Sequence, residues 1–141
     1  MMKRKKIVQY GFMAYGIVMA TGILFVFMPQ DAMVRIGTLC RLPRFEVTPV
    51  FEYMARGLSF GAFLFGLLMF YFAAHLSEQT RLIRFVGWTA LASVPVAIFI
   101  HTSAHTPLWW EVGDIVGLLA LCMLCLLCPK GKESEQPDPC D

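Results

Sequence analysis

Long apolar runs separated by short polar breaks dominate the chain. Four of these runs have about the 20 residues that a helix needs to cross the hydrocarbon core of a bilayer. They cover about residues 7–28, 55–74, 82–101 and 108–128. Because open strands cannot satisfy their backbone hydrogen bonds in lipid, all four runs are predicted to be helices. The pattern therefore predicts an all-α fold, a four-helix transmembrane bundle, with residues 1–128 as a single membrane domain.

Prolines end two of these runs and interrupt a third. Pro29 follows the first run and Pro129 follows the fourth. Pro95 lies inside the third run and is predicted to kink it, with Ser93 and neighbouring helices satisfying the freed carbonyl. The tail beyond the fourth run is short, charged and proline-containing, so residues 129–141 are predicted to be disordered.

The break after the first run is the longest, and it has a helical pattern of its own. Asp31 follows Pro29 closely, and a carboxylate there suits the positive end of a helix dipole. A short amphipathic helix is therefore predicted in this first outer loop, as a connector lying on lipid or as a lid. We expect the connector. The apolar residues at helical spacing are Met33, Ile36 and either Gly37 or Cys40.

Composition and charge support a membrane protein. Of the 141 residues, 57% are hydrophobic and only 16% are charged, which is more apolar than a soluble domain of this size. The net charge of +2 is small, and no basic patch is interleaved with aromatic residues. We therefore expect the lipid bilayer as a partner, and no nucleic acid.

The Lys and Arg residues in the breaks predict the orientation of the chain. With the N-terminus inside, eight of them lie on the inner side and four on the outer side. We therefore expect a multi-pass protein of the inner (plasma) membrane with both termini and the tail in the cytoplasm. The inner set is Lys3, Arg4, Lys5, Lys6, Arg81, Arg84, Lys130 and Lys132, and the outer set is Arg35, Arg41, Arg44 and Arg56.

Polar residues from three parts of the sequence converge at the outer end of the spans. Trp109 and Trp110 are typical of the aromatic belt at a membrane interface. Glu111 and Asp114 follow them and share a helix face, because they are three residues apart. Two histidines four apart end the third run, and an arginine lies near the start of the second. The predicted polar cluster consists of Arg56, His101, His105, Glu111 and Asp114.

This polar cluster is either structural or a working site for a ligand, a proton or a metal. The structural interpretation pairs Arg56 with Asp114 across the second and fourth spans, because an unpaired charge in a membrane is costly. A metal would take His101, His105 and Glu111 as its ligands. We expect no metal and no cofactor, because proline at 107 disfavours helix at the preceding residue and puts His105 past the helix end.

Small residues four apart predict where helices pack closely. In lipid there is no hydrophobic driving force between helices, so they associate where small side chains let their backbones approach. The second and fourth spans each carry one glycine pair, and the first span carries a glycine and an alanine. The predicted packing residues are Gly57, Gly61, Gly113 and Gly117, together with Gly16 and Ala20.

Three cysteines lie at the end of the fourth run. Cys122, Cys125 and Cys128 are three apart, a spacing similar to an iron–sulfur run, but Met and Leu separate them and the fourth ligand is missing. We expect them to be ordinary helix residues. Cys128, at the inner interface, is the one that could accept an acyl chain.

Three stretches, "VFEYMARGLSFGAFLFGLLMFY", "RLIRFVGWTALAS" and "HTPLWW", resemble short, uncharacterised four-span bacterial membrane proteins that are loosely DoxX-like in layout. In these proteins an arginine after an aromatic-containing turn opens the second span, and a proline turn with a tryptophan opens the fourth. The matching residues here are Tyr53, Arg56, Pro107 and Trp109. The resemblance covers about residues 5–128 and implies a four-helix bundle in a bacterial inner membrane, with no established activity.

These patterns lead us to expect a small multi-pass membrane protein without catalytic activity. It would be a structural or accessory subunit that packs with itself or with a larger membrane complex. The alternative is a membrane enzyme or small carrier that uses the polar cluster as its site.

Overall fold

The computed structural model describes residues 2–40, 47–104 and 107–128. These residues form helices and contain no strand, so the predicted all-α fold is confirmed for them. The predictions for Arg41, Arg44, His105 and the tail at 129–141, with Lys130 and Lys132, lie outside the described residues. The helices are α1 (Met2–Ala20), α2 (Gly22–Val26), α3 (Gln30–Leu39), α4 (Pro49–Ala74), α5 (Thr80–Ala104) and α6 (Leu108–Leu126).

Four helical stretches are long and apolar enough to cross a membrane. They are Lys5–Val26, Pro49–Ala74, Thr80–Ser103 and Leu108–Leu126. They coincide with the four apolar runs of the sequence, which is the layout of a multi-pass membrane protein. α3 confirms the short helix predicted in the first loop. Met33 and Gly37 are buried on it, whereas Ile36 is exposed.

α4 begins earlier than predicted because its first turn is capped. The Thr48 hydroxyl accepts a hydrogen bond from the Phe51 backbone N–H at 3.1 Å, the bond that a Thr N-cap makes. Pro49 takes the first helical position, where no N–H is needed. The cap places Glu52 and Arg56 on one continuous helix, four residues apart.

The first span, Lys5–Val26, is long and apolar enough to cross a membrane, as predicted, and it has a local turn at Thr21 between α1 and α2. The Leu24 N–H bonds to the Thr21 carbonyl at 3.0 Å, a three-residue turn between α1 and α2. The Thr21 hydroxyl also donates to the Val18 carbonyl at 2.6 Å. Such side-chain bonds compete with the helical ladder.

α5 continues through Pro95. The proline frees the carbonyl four residues earlier, that of Leu91. The Ser93 hydroxyl does not satisfy it, because it donates to the Thr89 carbonyl at 2.8 Å. The predicted role of Ser93 is therefore wrong, and the bond it makes is the ordinary bond of a helical serine back to the preceding turn.

Contacts divide the chain into two units, each described by itself. One unit comprises Met1–Met13 and Tyr71–Asp141, and the other comprises Ala14–Phe70. In the first unit, the Phe12 and Phe72 rings meet edge to face with centroids 6.1 Å apart. Its described core joins the start of α1, the end of α4, the start of α5 and the end of α6. The buried apolar residues of this core are Val8, Phe12, Phe72, Ala73, Leu76, Ile83, Ala90, Leu121, Cys122, Cys125 and Cys128.

In the second unit, the first span packs against α4 with backbone close to backbone. A Cβ placed on Gly66 would lie 2.7 Å from the Ala20 nitrogen and 2.8 Å from the Gly16 oxygen. A Cβ on Gly22 would lie 2.6 Å from the Ser59 oxygen. Only glycine permits such an approach. The predicted packing role of Gly16 and Ala20 is confirmed.

The glycines predicted to pack on α4 and α6 differ from those at the contact of the first span with α4. A Cβ built on Gly57, Gly61 or Gly113 would meet nothing within 4 Å, so these three glycines do not pack against another helix of the described chain, and packing against a different chain stays a prediction. On α4 the packed face carries Ser59 and Gly66, and the other two glycines lie on an exposed side of the helix. Spacing identifies small residues but does not say which face they occupy. The packing role of Gly117 stays a prediction.

Candidate functional site

Arg56 holds the end of the first span onto α4. Its Nη1 donates to the Val26 carbonyl at 2.8 Å, and its Nη2 donates to the Met28 carbonyl at 3.2 Å. These carbonyls lie at the end of α2 and just beyond it, where backbone oxygens lack helical partners and attract a positive charge. The guanidinium therefore caps the C-terminal end of the first span.

Glu52 completes this cap and extends it to α3. Its Oε1 lies 2.6 Å from Arg56 Nη2, and its side chain is only 21% exposed. Its Oε2 accepts a hydrogen bond from the amide of Gln30, the first residue of α3. Gln30, Glu52 and Arg56 thus form one network, which we call the span-end clamp. Among the described residues, the Arg56 Nε alone is a buried side-chain polar atom without a hydrogen-bond partner.

His101 and Asp114 form a second polar contact, in the other unit. The Nε2 of His101 lies 3.0 Å from the Oδ2 of Asp114. The contact is a neutral hydrogen bond or an ion pair according to the protonation of the imidazole. It joins the end of α5 to the first two turns of α6, and the His101 side chain is 9% exposed against 54% for Asp114. A buried imidazole thus holds one oxygen of a partly exposed carboxylate.

The members of the predicted polar cluster therefore separate into two contacts. Arg56 has Glu52 and two carbonyls as partners, and Asp114 has His101. The sequence predicts a pair of Arg56 with Asp114 because leaving either charge alone in a membrane is costly. In each unit the charged residue already has a partner, so the cost of an unpaired charge no longer requires a bond between Arg56 and Asp114. His101 is the partner that Asp114 uses.

Glu111 takes part in neither contact. Glu111 lies in the first turn of α6, where its charge suits the helix dipole. Within the described ranges no side chain bonds to its carboxylate. His105 lies outside the described residues. Among residues 2–40, 47–104 and 107–128, no group of three or more His, Cys, Asp or Glu side chains is arranged to hold a metal ion.

The cysteines at the end of α6 belong to the core of their unit. A Cβ on Gly87 of α5 would lie 2.6 Å from the Cβ of Cys125, so the two helices touch there. The Cys128 thiol is buried and donates to the Leu76 carbonyl at 3.6 Å. Burial raises the pKa of the Cys128 thiol, against the opposing effect of Arg84. A buried, protonated thiol is a poor acyl acceptor, which argues against acylation of Cys128.

The sequence contained a signal for part of the span-end clamp. Glu52 and Arg56 are four apart on one helix, the spacing at which a carboxylate and a guanidinium meet. The sequence did not predict Gln30 or the carbonyls of Val26 and Met28 as partners. Every residue has a backbone carbonyl, so residue type does not show which carbonyl accepts a hydrogen bond. Capping of one helix end by a side chain of another helix depends on tertiary packing.

Comparison of the chain with models of known families, with curated proteins and with solved structures finds no match in any of the three.

Proposed function

We propose that the protein is a non-catalytic, multi-pass membrane subunit, a structural or accessory component that acts by packing against other membrane chains. The proposal rests on the hydrogen bonds and ion pairs that the predicted site residues make with other groups of the same chain. Arg56 is engaged by Glu52 and by two backbone carbonyls, and His101 is engaged by Asp114. Polar networks of this kind fix helices in place. A catalytic group, in contrast, must be open to its substrate.

The surface of the spans is also consistent with a packing role. In an 18-residue window of each candidate span, only 17% to 22% is buried within the chain. Many span side chains are therefore exposed to lipid or to other chains, including second copies of this one.

The proposed location is the inner (plasma) membrane of a bacterium, with both termini in the cytoplasm. The support for this orientation is the excess of eight Lys and Arg residues over four on the side of the termini.

The size of the native particle tests the proposed function. The chain is tagged, expressed at its natural level, extracted from membranes in a mild detergent such as digitonin, and weighed by native mass spectrometry. We expect a particle larger than the 15.9 kDa single chain. Extraction in a harsh detergent is the matched control and should release the monomer. A monomer under both conditions would contradict the proposal.

A membrane enzyme or small carrier is the second candidate, and the contact of His101 with Asp114 favours it. An imidazole bonded to a half-exposed carboxylate can exchange a proton or hold a cation. The test is proton or cation flux in liposomes containing the purified chain. His101→Asn retains a polar side chain but cannot titrate. Flux that disappears in this variant, at unchanged thermal stability, would replace the subunit proposal.

A further inference from the structure

Asp114 is a charged residue exposed inside an apolar span. It lies in α6, which is long and apolar enough to cross a membrane, and its side chain is 54% exposed. It follows Trp109 by five residues, which puts it about 7–8 Å deeper along the helix axis. Ionisable side chains within a membrane are costly and almost always face a partner or water.

His101 contacts only one of the two oxygens of this carboxylate. It contacts Oδ2, and within the described residues no second donor reaches Oδ1. A carboxylate has about four lone-pair sites. Asp114 therefore has an oxygen available to a further donor.

The helix surface beside Asp114 leaves room for another helix. A Cβ on Gly113 would meet nothing within 4 Å. Ala120 is also exposed, and it lies on the same face because it is seven residues, about two turns, further along. Val116 lies between them and is exposed as well. Small side chains let a second backbone approach closely in lipid.

The chemistry of this surface selects among the possible occupants. The spans of a second copy offer no free cation near this level, since residues 7–28, 57–80 and 85–128 contain no Lys or Arg and Arg56 is already held by Glu52 and two carbonyls. Arg35 lies on α3, outside the four candidate spans. A lipid amine lies at the headgroup level, which Trp109 marks, and Asp114 is deeper. The complement that remains is a basic side chain on a transmembrane helix of a different chain.

We infer that Asp114, with Gly113, Val116 and Ala120, forms a docking surface for a transmembrane helix of another protein that carries a Lys or Arg at the depth of Asp114. His101 is a positioning residue, because it fixes the carboxylate through Oδ2 and leaves Oδ1 for the incoming cation. This inference rests on the proposed subunit function and names the chemistry of the partner.

Binding of designed transmembrane peptides to the full chain tests the inference. One peptide is a Leu/Ala helix with a single Lys placed at the depth of Asp114, and its control has Leu at that position. Binding is measured by energy transfer in bicelles of phosphatidylcholine. We expect the Lys peptide to bind the wild-type chain about tenfold more tightly than the control. The preference should disappear in Asp114→Asn and persist in Asp114→Glu and in Glu111→Gln.

Several results would overturn the inference. Equal binding of the two peptides to the wild-type chain would do so, and so would a preference that survives Asp114→Asn when circular dichroism shows that the variant is folded. Energy transfer between labelled copies that is lost in Asp114→Asn would assign the surface to self-association. A gain in thermal stability in phosphatidylethanolamine that depends on Asp114 would assign it to lipid.

The peptide assay does not depend on the size of the native particle. A monomeric native chain contradicts the proposed function, whereas an absent preference for the Lys peptide contradicts this inference alone.

Discussion

The Nε2 atom of His101 lies 3.0 Å from the Oδ2 atom of Asp114, and this contact ties the end of α5 to the start of α6. Removing either side chain takes a hydrogen-bond partner from the other in an apolar span. We therefore expect His101→Ala and Asp114→Ala to be coupled by about 0.5–2 kcal/mol in a double-mutant cycle. The measurement is unfolding in bicelles.

The matched control for this cycle is Glu111→Gln combined with His101→Ala. Since no described side chain bonds to Glu111, the two effects should add to within about 0.5 kcal/mol. Additivity of His101→Ala and Asp114→Ala as well would mean that the contact contributes nothing to stability.

Arg56 is expected to be the most sensitive charged residue. Arg56→Gln removes the guanidinium from the carbonyls of Val26 and Met28 and from Glu52. We expect a loss of about 1.5–3 kcal/mol in the free energy of unfolding, the range for hydrogen bonds to charged groups. Arg35→Gln, on the exposed side of α3, is the control and should change stability by less than about 0.5 kcal/mol. Equal effects of the two changes would contradict the span-end clamp.

The glycines of α4 offer an internal comparison. Gly66→Ala would bring a Cβ to 2.7 Å from the Ala20 nitrogen, a backbone atom that cannot move aside cheaply. We expect a loss of about 1–3 kcal/mol, the usual cost of overpacking. Gly57→Ala meets open space and should be neutral or stabilise the helix by up to about 1 kcal/mol. A thermal unfolding assay with the opposite ranking would show that the first span and α4 do not meet at Gly66.

The thiols of α6 are expected to be inert in the folded protein. Cys122, Cys125 and Cys128 are buried, and burial raises the pKa of the Cys128 thiol. Raising the pH should therefore make Cys128 reactive only well above the range at which an exposed thiol reacts. In a Cys140→Ser background, a maleimide should label Cys40 first and the α6 thiols only after denaturation. Rapid labelling of Cys128 in the folded chain would contradict its burial.

The same three cysteines are in the core, so replacing them with Ala should lower the free energy of unfolding, contrary to what their residue type alone suggests.

Hydropathy and length predicted the four long helices, because a helix satisfies all the backbone hydrogen bonds of a single segment in lipid. The short helix α3 was predictable too, from Asp31 near its start and Met33 at helical spacing. The early start of α4 could have been found, since Thr48 followed by Pro49 is a cap signal. Sequence did not reveal the local turn at Thr21, where the hydroxyl bonds back to the Val18 carbonyl.

The partners of the charged residues were harder to predict than the helices. Residue type showed that Arg56 and Asp114 need partners, and lipid makes that need strong. It did not show that Glu52 and the end of α2 satisfy the arginine, or that His101 satisfies the aspartate. Choosing between partners requires the rotation of each helix about its axis, and residue spacing alone leaves that rotation open.

The proposed membrane topology has four crossings with both termini in the cytoplasm. Reporter fusions measure the crossings directly, with one reporter after Asp141, one inserted near Glu78 and one inserted near Arg44. We predict a cytoplasmic signal from the first two and an external signal from the third, because the Lys and Arg count is eight to four in favour of the side of the termini. An external reporter after Asp141, or a cytoplasmic one near Arg44, would contradict the four-crossing arrangement or its orientation.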